Sequence, residues 1–213
     1  MRAITRCHPE RGNLRKPSLR KGFSLIELLI VLALILVMAF MSRDTWRRER
    51  SKKHQVACTR NLASQYVALQ TYSTDHGGWF PRLTNATSPA QPLSLLVPAY
   101  TTQTEFWICP AAGDGALKPA VSFADRRISY AYYMGRQRAE SPSAMLVTDA
   151  QVDATAKLEK QLLFSADGKG AGNNHGADGG NFLRTDGSQG HSPSHASVAF
   201  PLATNVTLLN PTR

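Results

Sequence analysis

Acidic side chains are scarce in this 213-residue chain: 15 Asp and Glu stand against 25 Lys and Arg, a formal net charge of +10. Charged residues of either sign make up only 19%. Proline, present 12 times elsewhere, is missing from residues 23–77. Also missing are a Gly-x-Ser-x-Gly elbow, a phosphate-binding glycine loop and a Cys-x-x-Cys pair, so no motif here carries the chemistry of those sites. His191 and His195 are four apart, but Pro193 between them bars the helix a zinc-protease pair requires. The basic excess invites a polyanionic partner, yet its distribution argues against one. Seven basic residues and one acid precede Phe23, which leaves 18 basic and 14 acidic residues, a net +4, for the rest. A chain that mildly basic needs no nucleic acid, and nucleic acid is not an expected partner.

What is present begins with an apolar run over residues 23–41, broken only by Ser24 and Glu27. As a helix its 19 residues rise about 28 Å, close to the roughly 30 Å of bilayer hydrocarbon. Lys and Arg crowd the side before it, which favours a cytoplasmic N-terminal end; residues 43–53 are basic too and weaken that signal. A secretory signal with a cut after Val37-Met38-Ala39 and a plain membrane anchor both compete for the run. Neither accounts for Glu27, whose carboxylate costs about 2.5–3.5 kcal/mol inside a spanning helix.

Lys21-Gly22-Phe23-Ser24-Leu25-Ile26-Glu27 followed by Leu28-Leu29-Ile30-Val31 resembles the prepilin signature of type IV pilins and of the pseudopilins of type II secretion. The resemblance implies cleavage between Gly22 and Phe23 and N-methylation of Phe23 by a prepilin peptidase. It also implies an assembly role for Glu27, paired with the amino terminus of a neighbouring subunit. The implied organisation is a cytoplasmic leader over residues 1–22, a transmembrane segment over 23–42, a periplasmic continuation of the helix over 43–77 and a globular head over 78–213.

Beyond the run, Leu62, Tyr66, Leu69 and Tyr72 recur at helical spacing, an amphipathic stripe facing a core. With no proline in the way, the simplest reading is one long helix ending at His76-Gly77-Gly78; the alternative is two helices parted near residues 47–53. Residues 106–109, 128–133 and 144–147 read as strands, and 84–90 and 113–119 as loops. Residues 181–185 followed by Asp186-Gly187 read as a hairpin with a type I′ turn, although the stretch after Gly187 is a poor second strand. Residues 196–209 hold a candidate edge strand. Helix first and strands later gives an α+β fold, a long helix whose first half spans the membrane packed on a small antiparallel sheet. Cys58, Asn61-Leu62, Tyr72, Asp75, Gly78, Pro81, Leu96-Val97-Pro98-Ala99-Tyr100, Phe106, Cys109-Pro110 and Tyr130-Ala131-Tyr132 follow in an order similar to pseudopilin-like proteins. The resemblance extends to His175, Gly179-Gly180-Asn181 and Asp186-Gly187, with the His-to-Asp spacing one residue longer than that family's pattern.

Cys7 falls in the leader, so processing leaves Cys58 and Cys109, an even count for an oxidising periplasm. They are expected either as a disulfide or as two buried thiols. Residues 167–181 are rich in Gly and short oxygen-bearing side chains. Asp167, Asn173, Asp178 and Asn181 are candidate calcium donors there, with ordinary turn formation as the alternative. The leading functional expectation is a non-enzymatic structural subunit of a pseudopilus or type IV pilus-like filament, serving protein secretion. Its expected partners are the prepilin peptidase, other pilin or pseudopilin subunits, inner-membrane assembly machinery and lipid. It would sit in the inner membrane as a single-pass protein with a periplasmic head, and in a filament after assembly. The alternatives are a minor tip module binding a surface, a secreted substrate or DNA, and, ranked far lower, a tethered hydrolase using His175 and Asp186.

Overall fold

The computed structural model describes residues 22–112, 121–152, 161–195, 197–198 and 203–211. Residues 1–21 of the leader expected over 1–22 and the loop expected over 113–119 lie outside the described residues. The chain divides into two units at Asp44/Thr45.

Helix α1 runs over Leu25–Asp75, 51 residues in one α-helix, so no break falls at residues 47–53. In the first unit its side chains have no cover: Leu25 is 80% exposed and Ile35 59%. Leu25–Arg43 is long and apolar enough to cross a membrane, with mean hydropathy 2.8. In the second unit α1 buries Cys58, Leu62, Gln65, Ala68, Leu69 and Tyr72. These lie three or four residues apart, or beside one that does, so they form one stripe. Tyr66, expected in the stripe, is partly buried at its edge. The helix stops where glycine permits a left-handed turn: Gly77 takes φ 61° and the Gly78 amide donates to the Ser73 carbonyl at 2.7 Å. That bond satisfies a carbonyl the helix end would otherwise leave orphaned.

The stripe packs on a five-stranded antiparallel sheet of order β5-β4-β2-β1-β7, formed by β1 (Tyr130–Met134), β2 (Met145–Asp149), β4 (Gly180–Arg184), β5 (Gln189–Ser192) and β7 (Thr207–Leu209). A separate two-stranded sheet pairs β3 (Gln161–Leu162) with β6 (Ser197–Val198). Both faces of the larger sheet are covered. Tyr130, Tyr132, Leu183 and Leu209 join the core under α1, while Ala131, Tyr133, Phe182 and Leu208 join a second core on the opposite face. This is the period-two alternation of strands. In β2 the register shifts between Met145 and Val147. Accordingly Met145 belongs to the second core, whereas Leu146 and Val147 both belong to the first, as an inserted bulge residue requires.

Residues 106–109 do not form the expected strand. Glu105–Trp107 is a 3₁₀ turn, and α1 takes over the role of a partner strand. Gln65 Nε2 donates to the Phe106 carbonyl at 2.7 Å, and Asn61 Nδ2 donates to that of Ile108 at 3.0 Å. Phe106, Trp107 and Cys109 are buried and Ile108 half-buried, and helix side chains satisfy two of the carbonyls while the Trp107 carbonyl accepts the Ser129 amide at 3.0 Å. The residues after Gly187, which read as a poor strand, do form one. Gly190 pairs with Phe182, and a Cβ there would meet the ring, so any larger residue would require the ring to move. The turn itself also differs from the type I′ expectation. Gly187 alone takes a positive φ, 87°, and its amide donates to the Arg184 carbonyl at 3.0 Å. Such a turn closed by one left-handed glycine is the next commonest hairpin solution.

Candidate functional site

At the start of α1, Ser24 caps the helix through its carbonyl, which accepts the amides of Glu27 (3.0 Å) and Leu28 (3.1 Å). Gly22 and Phe23 lie just before the helix, and Phe23 is 79% exposed. A Cβ at Gly22 would meet no atom within 4 Å, so the described fold has no steric need for glycine there. Glu27 sits in the first helical turn, exposed, between Ile26 and Leu28. The first turn suits an acid because unsatisfied backbone amides make that end partially positive. Gly22, Phe23 and Glu27 are therefore placed within one exposed, apolar helix start.

Inside the second unit, Cys58 of α1 and Cys109, just after the 3₁₀ turn, form a disulfide with a Cα separation of 5.6 Å. The bridge ties α1 to the segment whose carbonyls Asn61 and Gln65 already hold. Beside it lies a buried polar group. Asp149, at the end of β2, is fully buried, and its Oδ2 stands 3.1 Å from His175 Nε2. The Asn181 amide donates to the same oxygen at 2.7 Å, and Asn174 Nδ2 donates to Oδ1 at 3.3 Å. His175 Nε2 also faces Cys109 Sγ at 3.6 Å. Asp149 carried no signal in the sequence beyond being an acid closing an apolar strand.

The four proposed calcium donors have separate partners. Asp167 Oδ1 accepts from Ser165 Oγ (2.8 Å) and the Lys169 amide (2.9 Å), which closes a tight turn. Those bonds hold its carboxyl below the ordinary carboxylate range. Asn173 Nδ2 donates to the Gly168 carbonyl at 3.1 Å, and Asp178 Oδ2 accepts from Ser51 Oγ of α1. Asn181 is buried, with its side-chain oxygen facing His191 Nδ1 at 3.3 Å and its amide nitrogen near His175 Nε2 at 3.4 Å. His175 is set against Asp149. Asp186 lies exposed in the β4–β5 turn, where its Oδ1 accepts the Ser188 amide at 2.8 Å.

Residues 17–42 match the prokaryotic N-terminal methylation motif, the cleavage motif of type IV pilin and pseudopilin precursors. The motif thus covers Gly22, Phe23, Glu27 and the whole apolar run of residues 23–41. No curated protein and no solved structure matches the chain.

Proposed function

We propose that this protein is a structural subunit of a pseudopilus or type IV pilus-like filament, serving protein secretion. Prepilin peptidase would cut the leader of residues 1–22 between Gly22 and Phe23 and methylate the new amino group of Phe23. The observation that carries the reading is the methylation motif at residues 17–42, set on a helix whose apolar side chains are bare in the described chain. A helix apolar all round is at home in lipid or among other apolar helices, and a filament core offers the second environment once the membrane has supplied the first. In this reading residues 23–42 cross the inner membrane, 43–77 continue the helix into the periplasm and 78–213 form the head. The partners are sister subunits, the assembly machinery and lipid.

Glu27 gives the reading its chemical logic. Cleavage leaves an amino terminus close to apolar surroundings, where an unpaired charge is costly. The carboxylate of a neighbouring Glu27 compensates it, and the pair then sets the register between subunits. The experiment is N-terminal mass spectrometry of protein extracted from membranes, which should show a chain beginning at N-methylated Phe23. A chain that begins at Met1, or just after Ala39, overturns the proposal.

A further inference from the structure

The bridged cysteines and the buried polar pair meet at one point. One ligand atom from each of Cys58, Cys109, Asp149 and His175 lies within 4.8 Å of the other three, and all four residues are buried. The arrangement is not that of a Cys–His–Asp relay. A relay needs the sulfur on one ring nitrogen and the carboxylate on the other, so that the imidazole passes a proton between them. Here Cys109 Sγ and Asp149 Oδ2 both face Nε2 of His175, at 3.6 and 3.1 Å. Nδ1 has no partner among the described residues. Two sulfurs, a carboxylate oxygen and an imidazole nitrogen turned toward a common centre form a donor set.

We propose that Cys58, Cys109, Asp149 and His175 form a buried four-coordinate site for a divalent cation of the zinc class, available when the disulfide is open. Two thiolates and an imidazole select zinc and its neighbours over calcium or magnesium, which take oxygen donors. The surroundings already orient the carboxylate. The Asn181 amide holds Oδ2 and Asn174 Nδ2 holds Oδ1, while Asn174 is itself anchored on the Ser129 carbonyl at 2.8 Å. Outer bonds of this kind fix the direction of a ligand before the metal arrives.

The bridged and metal-bound states exclude each other, because sulfurs joined to one another are not thiolates. Opening the bridge takes two electrons and two protons from a thiol reductant, which is itself oxidised to a disulfide. Metal binding then releases the two thiol protons. The head would therefore be closed either by a covalent bond or by a metal ion at the same junction of α1 with the sheet. This inference does not depend on cleavage at Gly22.

The test uses the full chain in detergent, reduced anaerobically with a phosphine, freed of reductant and titrated with cobalt(II). Reduced protein should develop a near-ultraviolet thiolate-to-cobalt charge-transfer band and the intense visible bands of tetrahedral cobalt, saturating at one ion per chain and displaced by zinc(II). Unreduced protein should develop neither. His175→Ala and Asp149→Asn keep both thiols, and each should weaken cobalt binding by about tenfold or more, the loss already typical of outer-shell changes. Absence of the charge-transfer band from reduced wild type overturns the site, and this outcome requires no variant to fold. Equal cobalt affinity in wild type and both variants also overturns it, since the metal would then be held by the cysteine pair alone.

Discussion

At the scale of single residues, the sheet is held by three tyrosines that are almost wholly inside. Tyr130, Tyr132 and Tyr133 of β1 point alternately to the two cores, and each hydroxyl has a partner. Tyr132 Oη donates to the Pro81 carbonyl at 2.8 Å, Tyr130 Oη accepts from Asn61 Nδ2 at 3.2 Å and Tyr133 Oη accepts from Gln151 Nε2 at 2.7 Å. Burial pushes all three hydroxyls upward, that of Tyr133 from the ordinary 10.0 to about 12, although Gln151 and Arg136 pull it the other way. An unfolded tyrosine ionises near 10 while the folded one keeps its proton. Above that pH the unfolded state therefore binds fewer protons, and stability falls as pH rises through the window from 10 to 12. Tyr133 alone contributes a loss on the order of 2–3 kcal/mol across it. Urea midpoints measured from pH 9 upward should drop in wild type and drop less steeply in Tyr133→Phe. Parallel curves would show that Tyr133 ionises equally in both states.

At the scale of elements, α1 and the 167–181 segment each carry a separable expectation. Glu27 makes insertion of a lone helix harder, so Glu27→Val should leave the precursor in the membrane and still cut after Gly22. Under the proposed assembly, what it removes is the partner of the neighbouring amino terminus. Breaking a buried pair by deleting one member typically costs about 3–5 kcal/mol, and a filament repeats that loss at every contact. Cleaved Glu27→Val should therefore accumulate in the inner membrane, with the sheared filament fraction depleted beside wild type. A normal filament yield from the cleaved variant refutes the pairing. Calcium held by Asp167, Asn173, Asp178 and Asn181 is a distinct proposal, in which Asp167 would add a metal to the two bonds it accepts from Ser165 and Lys169. Binding to the folded chain would raise its melting temperature as RT ln(1 + [L]/Kd) prescribes. A melting curve unmoved by millimolar calcium leaves these residues as turn formers.

At the scale of the whole molecule, the second unit is built round a five-stranded antiparallel sheet with an apolar core on each face, and α1 covers only one of them. The sheet and its loops are tied to α1 by the stripe from Cys58 to Tyr72, by hydrogen bonds that include those of Ser51, Asn61 and Gln65, and by the disulfide. The bridge closes a loop spanning 51 positions, worth about 4 kcal/mol in the chain-entropy model. The Cys58→Ser/Cys109→Ser protein should unfold at a clearly lower denaturant concentration than the oxidised wild type. Non-reducing peptide mapping of the oxidised protein should find the two cysteines in one linked peptide. Coincident unfolding curves, or two freely alkylated thiols, would contradict the bridge.

Much of this was legible in the residues themselves, because the relevant physics is local or compositional. An apolar run long enough for a bilayer, an acid within it, the glycine at its edge and the glycines that stop α1 are all fixed by near neighbours in the chain. The stripe from Leu62 to Tyr72 follows from helical period alone, and two cysteines outside the leader leave one internal pairing. Tertiary structure decided the rest. Residues 106–109 have the composition of a strand, but Gln65 and Asn61 hold the Phe106 and Ile108 carbonyls, and no pattern within the segment encodes a helix packed across it. The stretch after Gly187 reads as a poor second strand until Phe182 lies opposite it and leaves room for a glycine at 190. Asp149 closes β2, whereas His175 lies in the loop before β4, 26 positions along the chain. Only the folding of β2 against β4 and α1 brings them to the Cys58–Cys109 bridge, because burial and convergence are properties of packing and leave no spacing in the sequence.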